Sequence, residues 1–99
     1  MPTHHLRDFA PLLTEAADRL DLARSVDAVR DGLAFNRALW TRLHTQLAHA
    51  TATAAEPAPT LKRFSEYVVR TSTPTPCPPD DHIEAFIRIN RNASRWLAG

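Results

Sequence analysis

The sequence predicts an all-α fold, a compact bundle of about four helices in a single domain over residues 1–99, and three observations carry that expectation. Apolar residues recur at alternating gaps of three and four in four separate stretches, the spacing that keeps side chains on one helix face. Two of the intervals between these stretches are rich in proline, which a helix interior does not accommodate. The length suits one domain able to bury its own core, though without much margin.

In the second stretch Val26, Val29, Leu33, Asn36, Trp40, Leu43 and Leu47 form a seam in which only Asn36 is polar. Phe35 and Leu39 widen it, so this helix, over about residues 25–50, is read as packing on two neighbours. Before it, Leu12, Leu13, Ala16, Ala17 and Leu20 define a first helix over residues 11–23, with Glu15, Asp18, Arg19 and Asp21 on the wet side. Pro11 suits its first turn, and Phe9 can fold back onto the core. The break between the two carries no Gly or Pro; Ser25 can cap a new helix, and one long bent helix is the alternative. Gly32, inside the second helix, implies either close approach of a neighbour or a local kink.

Beyond Leu47 the alanine-rich run is expected to fray by about residue 54. Thr60 is read as the cap of a third helix with Leu61, Phe64 and Val68 inward and Tyr67 and Val69 beside them, ending near Thr71. Residues 72–79, with four prolines, read as a stiff, exposed linker. Asp80 or Asp81 then caps a fourth helix, with Glu84 in a capping-box relation to Asp81. Its seam is Ile83, Phe86, Asn90, Ala93 and Leu97, with Ile87 and Ile89 alongside. Residues 1–8 are expected to be flexible.

Twelve basic and eleven acidic side chains leave the formal charge near zero, so nothing demands nucleic acid or an anionic membrane as partner. The single Cys77 excludes an intramolecular disulfide and suits a reducing compartment. The first residues lack the basic and apolar segments of an export signal, and no stretch approaches a membrane span, so the expected location is cytoplasmic.

Asn36 and Asn90 are polar intruders on two core faces. A buried amide costs free energy unless it is partnered. The two helices are therefore expected to cross near these positions, with the amides bonded to each other or across to the facing helix. Fixing the register of the core is one role for such a pair; contact with a ligand or partner is the other.

The run Leu33-Ala34-Phe35-Asn36-Arg37-Ala38-Leu39-Trp40-Thr41 resembles the Asn-Arg-x-Leu-Trp signature of the FlaF family of bacterial flagellar biosynthesis regulators. The stretch from Leu13 to Ala23 is similar to that family's first helix and Tyr67-Val68-Val69-Arg70-Thr71 to its third. Ile87-Arg88-Ile89-Asn90 through Leu97 and Gly99 is similar to its closing segment. The motifs are short; their order and spacing carry the resemblance. It implies a cytoplasmic, non-enzymatic regulator of flagellum biogenesis that promotes flagellin synthesis and secretion by binding flagellin in a chaperone-like role, in concert with a FlbT-like regulator.

The residues themselves are compatible with a partner-binding module. No Gly-rich phosphate loop, nucleophile elbow or carboxylate pair is present, so no enzyme and no cofactor is expected. His4, His5, His44, His49 and His82 include no pair at the i, i+4 spacing of a helical zinc site. Cys77 stands between prolines without a base. Arg37, Arg42, Arg88, Arg91 and Arg95 are the partner-binding candidates, while Asn36, Trp40, Asn90 and Leu97 are expected to shape the fold that presents them. Arg88, Arg91 and Arg95 lie at i, i+3 and i+7, so the alternative function is a small RNA-binding regulator using this basic strip. In the blander reading the strip is a solvated face near a helix C-terminus.

Overall fold

The computed structural model describes residues 6–49 and 58–98. Among these the chain forms a short 3-10 turn, Leu6–Phe9, and four helices: α1 (Ala10–Asp21), α2 (Val26–His49), α3 (Ala58–Thr71) and α4 (Asp80–Ala98). The expected fraying of the second helix over residues 50–54, and most of the expected flexible start, lie outside the described residues.

Pro11 occupies the first turn of α1, and Phe9 just before it is buried at 4% exposure. The break after α1 is real. Ser25 Oγ accepts the Ala28 N–H at 3.1 Å while its carbonyl accepts the Val29 N–H at 3.0 Å, so Ser25 starts a new helix. Val26, placed in the seam by spacing, is instead 61% exposed. It is the first residue of α2, one turn outside the stretch that α1 covers. Gly32 marks close packing rather than a kink: a Cβ there would lie 2.9 Å from Leu20 Cδ2 on α1.

Each helix runs antiparallel to its sequence neighbour. Leu20 meets Gly32 while Phe9 meets Arg42. On the next pair Arg37 reaches the Val69 carbonyl, and His44 lies opposite Glu66. Tyr67 stands against His82 and Phe86, and Phe64 stacks on Trp96 at 5.8 Å between ring centroids. Ser94 closes the circle, donating to the Ala10 carbonyl at 2.8 Å and accepting from Thr14. α1 packs against both α4 and α2, and α3 against α2. The up-down order leaves α2 and α4 facing each other across the bundle's diagonal, parallel in direction.

One apolar cluster draws on all four helices, with Leu13, Leu33, Trp40, Leu43, Leu61, Val68 and Phe86 fully buried. Three boundaries differ from expectation. α3 starts at Ala58 with Pro59 in its first turn, where the missing N–H costs nothing, so Thr60 lies inside the helix instead of capping it. The Pro79 carbonyl accepts the first backbone bonds of α4, from His82 at 3.0 Å and Ile83 at 3.2 Å. Asp80 and Asp81 therefore sit in its first turn, where negative charge favours the helix dipole, rather than at the cap. The segment 72–79 is not uniformly exposed: Ser72 is fully buried, because its N–H donates to the Val68 carbonyl at 2.8 Å and carries the last turn of α3 into the core.

Candidate functional site

Across the diagonal between α2 and α4 runs a chain of buried hydrogen bonds. Trp40 Nε1 donates to Asn90 Oδ1 at 2.6 Å, and Asn90 Nδ2 donates to Asn36 Oδ1 at 2.7 Å. Asn36 Nδ2 then donates to Ser72 Oγ at 3.1 Å, which in turn donates to the Leu33 carbonyl at 3.3 Å. All four side chains are at 0% exposure, and every buried side-chain nitrogen or oxygen among the described residues has a partner. The two amides bond each other directly, each presenting its oxygen to one neighbour and its NH2 to the next. The chain links α2, α4 and the end of α3 and leaves none of its members open to solvent, the setting in which a buried polar network favours one helix register over others. Leu97, half-buried, packs on the same core.

The five arginine candidates do not share one surface. Arg91 is held by α1: its guanidinium is 3.0 Å from Asp21 Oδ2 and 3.3 Å from Asp18 Oδ1. Hydrogen bonds to Asp21 and Asp18 push its pKa above the ordinary arginine value. Arg95 donates to the Asn92 side chain, and Arg88 is exposed beside them. These groups line a shallow depression with Asp21 and Glu84, so the basic strip is interleaved with acid.

Arg37 and Arg42 flank a different face. Arg37 Nε donates to the Val69 carbonyl at 3.1 Å, which draws its side chain onto α3. The Arg42 guanidinium lies 5.8 Å from the centroid of the Phe9 ring, on the α1 side. Between them Ala34, Ala38, Thr41 and Thr45 are exposed. Thr41 Oγ1 donates to the Arg37 carbonyl at 2.8 Å and Thr45 Oγ1 to the Thr41 carbonyl at 3.1 Å, four residues back in each case. With the hydroxyls turned onto the helix backbone, the surface between the arginines is methyl-lined. Three shallow depressions adjoin here, each including Thr41.

The pairing of Asn36 with Asn90 is legible in the sequence, whereas the parts played by Ser72 and by the threonine pair are not among its expectations. The Thr-x-x-x-Thr spacing was the available signal for the latter, since four residues is the reach of a hydroxyl to a helix carbonyl. Ser72, written into a Ser-Thr-Pro run, gave no signal of burial.

Comparison with models of known protein families, with curated proteins and with solved structures gives no match. The chemistry therefore rests on the side chains. Cys77 is exposed, its Sγ 3.3 Å from the Pro74 carbonyl. His44 Nε2 is 4.0 Å from Glu66, and no three His, Cys, Asp or Glu among the described residues come together in a way that could hold a metal ion. His4 and His5 lie outside the described residues, as does the side chain of His49. Among the described residues no helix is long and apolar enough to cross a membrane. What the described surface offers is helix faces edged by cations.

Proposed function

We propose that this protein is a cytoplasmic, non-enzymatic regulator of flagellum biogenesis of the FlaF type, which binds flagellin in a chaperone-like role, with a FlbT-like regulator as a possible co-partner. The observation that supports this reading is the bond between Asn36 and Asn90, with Trp40 attached. Those three residues belong to the two short motifs on which the FlaF resemblance most depends, and they lie 54 positions apart at their widest. Motifs that meet in one buried hydrogen-bond chain form a single constraint on the fold, and their joint occurrence weighs more than two separate short matches. The RNA-binding alternative has weaker support, because Arg91 already faces two carboxylates.

The experiment is a pull-down with the purified protein from a lysate of its own source, at low and high salt, with bound protein and RNA both identified. Flagellin retained at both salts is the expected result. RNA recovered at low salt alone, without flagellin, would refute the proposal and favour the arginine strip of α4 as a nucleic-acid contact.

A further inference from the structure

We propose that the outer face of α2 pairs, antiparallel about a twofold axis, with the same face of a second copy of this chain. At 100° per residue, Asp27, Asp31, Ala34, Ala38, Thr41 and Thr45 fall on one side of the helix, opposite the buried Leu33, Asn36, Trp40 and Leu43. All six are exposed, while α1 and α3 cover the two flanks.

On the α1 side of this face the charges are segregated along the helix, and that segregation selects the occupant. The face's amino-terminal part carries Asp27 and Asp31, with Arg30 toward the α3 side; its carboxy-terminal part carries Arg42 toward the α1 side, and Ala34 and Ala38 lie between, with Pro74 adjoining them. Asp31 and Arg42 both lean to the α1 side. A twofold axis perpendicular to the helix keeps each residue on its own side and reverses the direction along the helix. Residues equidistant from the axis therefore meet their opposite numbers. The midpoint between Asp31 and Arg42 falls between Asn36 and Arg37, level with the Ala34 and Ala38 methyls. An axis there sets Asp31 against Arg42 of the second copy and Arg42 against its Asp31, two ion pairs from one charge pattern. The small residues sit at the point of closest approach, and Thr41, its hydroxyl already bonded to the Arg37 carbonyl, adds a methyl beside them without leaving a polar group unpaired. Arg37, tied to the Val69 carbonyl on α3, is drawn to the far flank, which keeps the two Arg37 side chains of a dimer off the contact line.

The self-complementary register supplies its own test, independent of what else the protein binds. Sedimentation velocity at low ionic strength, where exposed pairs are least screened, should show the full chain at twice its 11.1 kDa monomer mass. Asp31→Arg and Arg42→Asp each turn both attractive pairs into repulsive ones and should weaken self-association by about tenfold or more. An equimolar mixture of the two variants restores both pairs in a heterodimer and should recover the dimer mass. Circular dichroism confirms that each variant is folded, as expected for exposed positions. A wild-type protein that is monomeric throughout overturns the proposal. So does a dimer that the single reversals leave intact, or a mixture that fails to reassociate.

Discussion

Replacing Asn90 with leucine, a side chain of similar size, would interrupt the diagonal hydrogen-bond chain at its centre. Two groups lose their partner at once: the Trp40 Nε1–H, bonded at 2.6 Å, and Asn36 Oδ1, bonded at 2.7 Å. Both residues are at 0% exposure, so water cannot take the place of the amide without opening the core. A buried polar group left unsatisfied costs about 1–3 kcal/mol, so two orphans imply a loss of about 2–6 kcal/mol, less whatever the leucine regains by apolar contact. A loss of this size is a large part of the about 5–15 kcal/mol that holds a domain folded. Urea unfolding followed by far-ultraviolet circular dichroism measures it, and in a thermal melt each kcal/mol should lower the midpoint by about 4–8 °C. The double variant Asn36→Leu/Asn90→Leu provides the control. Removing both amides leaves the Trp40 donor alone and frees Ser72 to keep its bond to the Leu33 carbonyl, so its cost should fall below the sum of the single variants by about 0.5–3 kcal/mol. A single-variant loss below about 1 kcal/mol, or strict additivity in the double, would refute the reasoning that these amides are coupled and sealed from water.

Two further outcomes follow from the packing. Trp40→Ala should destabilise by about 3–5 kcal/mol, since it empties a fully buried site and orphans Asn90 Oδ1, and the same urea titration checks it. Gly32→Ala should change stability by no more than about 1 kcal/mol in that assay, because the helix-propensity gain is offset by displacement of the Leu20 methyl 2.9 Å away. Gly32→Ile, in contrast, should cost about 1–3 kcal/mol by overpacking against α1.

Much of this bundle was legible from hydrophobic spacing, and the exceptions have physical causes. The seam through Leu33, Asn36, Trp40, Leu43 and Leu47 is buried as its periodicity demands. Val26 obeys the same periodicity yet is exposed, since spacing reports a face and not how far the neighbouring helix extends along it. Asn36 and Asn90 stood out because a polar residue in an apolar seam must find a partner, and their mutual bond answers that need. Ser72 did not stand out: proline on its carboxy-terminal side made the segment read as linker, while its burial depends on where α3 ends against α2. The arginines were legible as exposed cations, but their divergence was not. Whether an arginine points at a partner, a carbonyl or an aspartate is decided by the adjacent helix, as Arg37 and Arg91 show.

The span of the Asn36–Asn90 bond also has a consequence in time. On a growing chain α2 is complete at His49, while α4, which carries the other amide, is complete only at Ala98. At about 5–20 residues per second, those 49 residues take about 2–10 s to add. Until residue 90 is added the Asn36 amide and the Trp40 indole have no amide from α4 to pair with, and until α4 is complete the apolar seam of α2 lacks one wall of its core. The arrival of α4 therefore decides when α2 closes, and any helix that competes for that seam must do so before α4 arrives.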